Sequence, residues 1–315
     1  MLCRLGLGLA PVGPDVCAVL RALVGADAVA LFWLDEHGLP AGFFHEDSPA
    51  ATQDLFLNEF QRLFVGEHEV NILALAQPRG PQVGRLLAPE AGSFRSNTYN
   101  LLVRASGHHH ALDLRVEVLG RTRAVVTLFR GVGASAFGAA EAAMLERAGI
   151  SLQRAFARPG AARLDASCEG RAGHVLLDAS SLRPLLADAV AMQLLRDANL
   201  RGLGLRGESG TALPDELFSR LGLRLDLEPP ARIPVPHGVL EIRMHPLYAV
   251  AGGSSQWLLT LQLQRPRQID VVRRVLALPL SPLQREIAVL AGLGHARADS
   301  LALAGVSNAA LKKHL

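Results

Sequence analysis

Cysteine, lysine and long hydrophobic runs are scarce in this sequence, and each scarcity excludes a class of protein. The three cysteines, Cys3, Cys17 and Cys168, lie far apart, so they have neither the spacing of a disulfide framework nor that of a metal site. No run approaches the roughly 18–20 uninterrupted apolar residues of a membrane span. The apolar N-terminus lacks the charged start and the cleavage site of a signal peptide. We therefore expect a cytoplasmic protein with reduced thiols and no membrane partner.

Positive charge is concentrated at one end of the chain. The only two lysines are the adjacent pair Lys312 and Lys313. Residues 265–315 carry eight basic and three acidic side chains, a net charge of +5, which leaves −2 for the rest of the chain. A basic tail on a near-neutral body favours phosphate contact by that end. A solvated helix end, where cations are also favourable, is the alternative explanation.

The pattern of residues 280–315 predicts three short helices. Ser281 and the proline after it can open the first helix. A second helix is predicted over 297–304, and Gly305 can supply its left-handed end. Ser307 can cap a third, basic helix. Short helices with a glycine turn before a basic last one predict a helix-turn-helix.

Residues 280–315 resemble the LuxR-type helix-turn-helix of bacterial transcription regulators. The match has no gap and rests on five short segments: Leu280-Ser281-Pro282, Arg285-Glu286-Ile287, Gly294, Gly305-Val306-Ser307 and Lys312-Lys313-His314-Leu315. The resemblance implies that the last helix is a recognition helix lying in the DNA major groove.

The resemblance also implies which positions contact DNA. They are Ser307, Asn308, Ala309, Lys312, Lys313 and His314. The chain departs from the family at four positions: Ser300, Leu301, Ala304 and Ala310. The matched pattern ends at Leu315, inside the recognition helix and before the family's fourth, dimerising helix. We therefore expect an incomplete helix-turn-helix within these residues.

Residues 1–157 have the pattern of helices packed on an antiparallel sheet. The predicted order is helix, hairpin, helix, two strands and a long exit helix, at residues 15–26, 27–45, 53–64, 111–130 and 137–157. This order resembles that of the GAF-like sensor domains found in front of LuxR-type helix-turn-helix domains. The resemblance implies a small-molecule ligand between the sheet and the helical insertion, and an exit helix that pairs with its twin in a homodimer.

A linker rich in small and charged residues is predicted over 158–173. Residues 174–268 then alternate strands with helices in an order that resembles a PAS domain. A connecting helix over 269–279 leads to the helix-turn-helix at 280–315. The expected fold class is therefore α+β, with two antiparallel-sheet sensor domains followed by a small all-α domain.

Aromatic side chains are the candidates for the lining of a ligand pocket. They are Trp33, Phe43, Phe56, Phe60, Tyr99 and Phe129. Aromatic residues at strand and helix spacing also make ordinary hydrophobic core, so both interpretations stay open for each of them. The ligand itself cannot be named from these residues.

No residue pattern predicts an enzyme, a metal or a cofactor. Consecutive strand residues point to opposite faces, so His108, His109 and His110 cannot all face one metal ion. The phosphate-binding GxxxxGK[ST] and the strand-borne GxGxxG are absent, and the serine of 207–209 lacks the spacing of a nucleophile elbow. Two hypotheses remain: a ligand-controlled DNA-binding transcription regulator, and a ligand sensor or scaffold whose degenerate helix-turn-helix does not bind DNA.

Overall fold

The computed structural model describes residues 1–156, 166–200, 213–225, 230–248, 250 and 255–306, with the backbone alone for 166–171. These residues form two antiparallel sheets with helices on them, which confirms the predicted α+β class. We call residues 1–156 the first unit, the described part of 166–266 the second unit, and the helices after it the tail helices. No helix in these ranges is long and apolar enough to cross a membrane.

The first unit is built on a four-stranded sheet with the order β2-β1-β4-β3. Its helices and strands are α1 (Leu9–Val24), β1 (Ala28–Leu34), β2 (Pro40–His45), α2 (Ala50–Leu63), α3 (Ile72–Ala76), a π-helical turn (Thr98–Val103), β3 (His108–Val118), β4 (Arg121–Gly131) and α4 (Ala139–Gln153). Short 3₁₀ turns occupy Leu2–Arg4, Ser93–Arg95, Arg104–Ser106 and Arg154–Phe156.

Alternation along the strands gives this sheet two different faces. On β1, Val29 and Leu31 belong to the main core beneath α1 and α4. Ala30 and Phe32 face the other way, toward the helical insertion between β2 and β3. The sheet therefore separates a helix-covered core from the insertion.

Helix α1 begins at Leu9, earlier than the predicted start at Asp15. Pro14 lies inside it, where the missing N–H removes one backbone hydrogen bond. Burial of Leu9 and Val12 in the core accounts for the extra turns. Gly25 ends the helix in the left-handed conformation, with φ of 67°, as glycine commonly does.

The second unit is a five-stranded sheet with the order β6-β5-β9-β8-β7. Its helices and strands are β5 (Ala166–Asp178), β6 (Pro184–Ala187), α5 (Ala189–Asp197), α6 (Leu217–Arg220), β7 (Ala231–Val235), β8 (Gly238–Leu247) and β9 (Gln256–Pro266). Helices α5 and α6 contribute to the core on one face of this sheet.

Strand β5 begins inside the predicted linker over 158–173. Its first residues pair with the end of β9, starting with Ala166 opposite Pro266. Backbone hydrogen bonds to a neighbouring strand can override the weak strand propensity of small and charged residues. Residues 166–173 were predicted to be a linker without secondary structure, but they belong to a strand. The rest of the predicted linker, 158–165, lies outside the described ranges.

The tail helices are α7 (Arg267–Leu276), α8 (Pro282–Gly292) and α9 (Arg297–Leu303). Ser281 and Gln284 form a capping box at the start of α8, each side chain accepting the backbone N–H of the other. Gly305 is left-handed, with φ of 68°. Helices α8 and α9 agree with the first two helices predicted here. The third predicted helix lies outside the described residues.

The tail helices share the hydrophobic core of the first unit. Ile269, Val272 and Val275 of α7 and Val289 of α8 belong to the same cluster as the residues of α1 and α4. If the tail helices did not pack on the first unit, these side chains would be exposed to water. The sequence did not predict this docking, because the chain reaches it only after passing through the whole second unit.

Candidate ligand-binding site

A cavity of about 90 Å³ lies between the first sheet and the helical insertion. Strands contribute Ala30, Phe32, Phe43, His45, Thr127 and Phe129 to its lining. Helix α2 contributes Thr52, Gln53 and Phe56, and the π-helical turn contributes Thr98, Leu102 and Val103. A concave, mostly apolar site with a few polar groups is typical of small-molecule binding.

One end of the cavity is a cluster of three phenylalanines. Phe32 and Phe43 are partners across β1 and β2, with ring centroids 5.8 Å apart. Phe56 of α2 closes the cluster at 5.4 Å from Phe32 and 5.1 Å from Phe43. Tilted and edge-to-face contacts of this kind stabilise aromatic groups beyond their burial.

The other end of the cavity carries a stack of three rings. The His45 ring lies 5.5 Å from that of Phe129 and nearly parallel to it, and the His108 ring lies 5.1 Å from the same phenylalanine. Burial, together with the neighbouring His108, lowers the pKa of His45 to about 4. Burial also lowers the pKa of His108. Both rings are therefore neutral at pH 7.

Hydrogen bonding fixes the proton position on one of these rings. The Nδ1 atom of His45 accepts the backbone N–H of Asp47 at 3.1 Å. A neutral imidazole has one donor and one acceptor nitrogen, so the Nε2 atom of His45 carries the proton and is a donor. The site thus contains an oriented donor that has no positive charge.

Two buried polar atoms near the stack have no hydrogen-bond partner within the described ranges. They are the Oγ atom of Ser106, which lines the cavity, and the Nε2 atom of His108. His108 is only 4% exposed. Buried polar atoms are almost always hydrogen-bonded. Unpartnered atoms beside a cavity therefore indicate a place where a ligand or water completes the bonding.

The insertion is held over the cavity by carboxylates. The backbone N–H groups of Asn97 and Thr98 donate to Glu69 at 2.7 and 2.9 Å. The N–H of Leu86 donates to the Asp113 carboxylate on β3 at 2.7 Å. The π-helical turn begins at Thr98, directly after Asn97. Such widened turns occur frequently at functional sites.

A second cavity of about 240 Å³ adjoins the first. Phe94, Tyr99 and His109 line it, and the Tyr99 hydroxyl lies 2.6 Å from the Nδ1 atom of His109. The side chains that line both cavities are Val70, Leu86, Thr98 and Val103. Movement of these shared side chains would join the two spaces.

The structure places the predicted pocket residues in different locations. Phe43, Phe56 and Phe129 line the first cavity, and Tyr99 lines the second. Phe60 packs against Phe56 with ring centroids 5.3 Å apart, and it lines a separate cleft instead of the cavity.

Trp33 lies on the opposite face of the sheet. Phe32 faces the cavity, so its strand neighbour must face away from it. The indole covers Gly42, where an added Cβ atom would lie 2.5 Å from it. Trp33 is therefore not part of the lining of this cavity.

Sequence analysis missed His45, Ser106 and Thr127 as pocket residues, and it considered His108 only as a metal ligand. The available signal was the alternation of β2, which puts His45 on the same face as Phe43. The unpaired state of Ser106 and His108 depends on contacts between distant segments, which a single sequence does not reveal.

The predicted DNA-contacting residues Ser307, Asn308, Ala309, Lys312, Lys313 and His314 all lie outside the described residues. Within the described ranges, no group of three or more histidine, cysteine, aspartate or glutamate side chains could hold a metal ion. Cys3 and Cys17 are free, buried thiols.

No family model matches this chain, and no curated protein sequence is significantly similar to it.

Proposed function

We propose that this protein is a ligand-responsive transcription regulator of the LuxR type. Its first unit, a GAF-like sensor, binds a small molecule in the cavity, and its C-terminal helices bind DNA. The observation that carries the proposal is the position of these two features on one sheet. The cavity occupies one face, and the core that holds α7 and α8 occupies the other.

Strand β1 connects the two features directly. Ala30 and Phe32 touch the cavity, whereas Leu31 between them lies in the core shared with the tail helices. If β1 can take two positions, a ligand that binds one of them more tightly shifts the protein toward that position. The side chains that pack on β1 in the shared core then shift with the strand. Ligand binding would thereby change how strongly the first unit holds α7.

The DNA-binding part of the proposal rests on the tail. The capping box at Ser281 and the left-handed Gly305 delimit short helices, and the basic charge of 265–315 suits a phosphate backbone. The proposed reader is the segment that carries Lys312 and Lys313. In this proposal the second unit is a PAS-like domain, and the functional form is a homodimer.

A non-DNA-binding sensor is the second candidate. It is favoured by the way α8 lies on the first unit, with Val289 in its core and Glu286 bonded to Arg4 at 3.0 Å. Val289 thus serves the protein's own interior, and Glu286 serves an ion pair within the chain. In that case the tail helices would be a surface for a protein partner.

Selection from a random DNA library separates the two candidates. The purified protein, with its natural C-terminus, would be compared with its Lys312→Ala, Lys313→Ala double variant. We expect the wild type to enrich one sequence and the variant to lose that enrichment, because removing base contacts relaxes sequence preference. An Arg121→Ala, Arg123→Ala variant, changed at the start of β4, controls for the loss of two charges. Failure of the wild type to enrich any sequence would favour the sensor or scaffold.

A further inference from the structure

The cavity has no charged side chain in its lining. Among the described residues around it, the polar groups are hydroxyls, amides and the His45 ring. An ion moved from water into such a place loses its hydration without gaining a counter-charge. The neutral state of His45 and His108 at pH 7 removes the remaining source of positive charge. The lining therefore selects against carboxylates, phosphates and ammonium groups.

Two amide side chains of the lining are hydrogen-bonded within the protein. The Asn71 side chain accepts the N–H of Leu73 and donates to the carbonyl of Phe64. Gln53 donates to the carbonyl of Ser48 at 2.9 Å. These hydrogen bonds fix the positions of the two amides in the lining.

Two buried polar atoms without a partner in the described part of the chain lie at one end of the cavity. The Ser106 hydroxyl is buried and has no partner within the described ranges, and the same holds for the Nε2 atom of His108 in the adjoining stack. The Nε2 atom of His45 carries a proton, as its Nδ1 bond to Asp47 requires. A hydroxyl or a carbonyl on the ligand can complete the bonding there. The phenylalanine cluster at the other end offers only apolar contact.

The size of the space sets an upper limit on the ligand. An apolar protein cavity of about 150 Å³ holds benzene, and this one measures about 90 Å³. A single ring therefore fits only if Val70, Leu86, Thr98 or Val103 yields toward the second cavity, which these side chains also line. A larger skeleton would have to extend beyond the first cavity into the second one.

We infer that the cavity takes a small uncharged molecule, no larger than one six-membered ring with one substituent. Its apolar body would lie against the phenylalanine cluster, and one hydroxyl or carbonyl group would bond to Ser106 and the histidine end. This inference rests on the proposed ligand-sensing function and names the chemical class of its ligand.

Phenol and toluene are the matched probes for this inference, because a hydroxyl in one replaces a methyl in the other. Dissociation constants would be measured on the full chain by titration, with methyl NMR signals of Leu102 and Val103 reporting binding in the cavity. We expect phenol to bind about two- to tenfold more tightly than toluene, the effect of one net hydrogen bond. Benzoate should not bind, because it brings a charge into the same space.

The Ser106→Ala, His108→Phe double variant tests whether these two side chains bind the phenol hydroxyl. A phenylalanine at position 108 keeps a flat ring on Phe129 while removing the nitrogen. We expect this variant to lose the preference for phenol and to keep its affinity for toluene, which also shows that the cavity is intact. If the double variant does not fold, Ser106→Ala alone should reduce the preference, because Ser106 is only half-buried.

Several outcomes would overturn the inference. Equal affinity for phenol and toluene would show that no hydrogen bond forms at the polar end of the cavity. Binding of benzoate would show that the ligand need not be uncharged. A preference for phenol that survives in both variants would place the hydrogen bond elsewhere. If neither phenol nor toluene shifts the methyl signals of Leu102 and Val103, the cavity does not take a ligand of this size. None of these results involves DNA, so a failed selection experiment would refute the regulator and leave the ligand class standing.

Discussion

Asp15 of α1 and Arg273 of α7 form a two-point ion pair across the junction between the first unit and the tail helices. The Arg273 Nε and Nη2 atoms lie 2.7 and 3.0 Å from the two carboxylate oxygens. The pair is partly buried, and it flanks the helix face that puts Ile269 and Val272 into the core. Planar arginine–carboxylate geometry of this kind fixes orientation as well as distance. It therefore sets the rotation of α7 on the first unit.

Replacing Arg273 with glutamine should loosen α7 without unfolding the protein. We expect a loss of roughly 1 kcal/mol in the free energy of holding the helix, because the pair is only partly shielded from water. Amide hydrogen exchange over Arg267–Leu276 should accelerate by about fivefold. Arg4→Gln is the control, since the Arg4–Glu286 pair is more exposed and should matter less. Equal exchange in α7 for wild type and Arg273→Gln would contradict this role.

Acid should destabilise the protein through His45. Burial and the neighbouring His108 lower the pKa of His45 from 6.5 to about 4 in the folded state, and Asp47 opposes this only in part. Between these two values the unfolded chain binds the proton more readily, so the free energy of unfolding falls as pH falls from about 6.5 to 4. The His45 contribution across that window is on the order of 3 kcal/mol.

The His45→Phe variant tests this pH dependence. Phenylalanine keeps the ring stack and cannot bind a proton, so the free energy of unfolding should fall less steeply between pH 6.5 and pH 4.5 than in the wild type. Urea unfolding at several pH values gives the comparison. Parallel curves for wild type and variant would show that the His45 ring titrates normally in the folded protein.

Gly173 lets α5 approach β5 in the second unit. A Cβ atom there would lie 2.4 Å from the backbone nitrogen of Ala191, and backbone atoms cannot rotate aside. We expect Gly173→Ala to destabilise the protein by about 3 kcal/mol, at the upper end of overpacking effects. Gly133→Ala is the control, because nothing lies within 4 Å of that position. Calorimetric unfolding should separate the two variants clearly, and similar melting temperatures would contradict the packing described here.

Local patterns predicted the parts of the fold that depend on neighbours in sequence. The β-branched and aromatic residues of 27–34 predicted a buried strand. Ser281 and Gly305 predicted helix boundaries, because capping and left-handed turns are determined within a few residues. The predicted start of α1 was six residues late, since burial of Leu9 and Val12 outweighs the hydrogen bond that Pro14 cannot make. The start of β5 at Ala166 could not be predicted locally, because it depends on pairing with Pro266 at the end of β9.

The candidate site was predictable only in its apolar part. Phe43 and Phe56 follow from strand and helix spacing, whereas the bulge between Trp33 and Leu34 and the burial of His108 arise from tertiary contacts. The docking of Val272 in the first core is equally non-local. Helical periodicity shows that a face is apolar, but it does not show which partner covers it.

Helix α4 provides the surface for the proposed homodimer. Leu145 and Leu152 face the core, whereas Ala143 is exposed on the outer side and Ile150 is 60% exposed. Ala143 and Ile150 lie two turns apart on one face of the helix, with the exposed Glu146 and Arg147 between them. The pairing of two such faces would remove Ile150 from water in each copy.

Ile150→Glu should weaken this dimer without disturbing the fold, because the side chain makes no contribution to the core cluster. We expect the dimer dissociation constant to rise at least about tenfold, equivalent to roughly 1.4 kcal/mol, in sedimentation measured over a range of concentrations. Leu119→Glu is the matched control, since Leu119 is an equally apolar and fully exposed residue in the turn between β3 and β4. A wild-type protein that sediments as a monomer at every concentration would refute the dimer. A dimer weakened equally by both substitutions would place its interface elsewhere than α4.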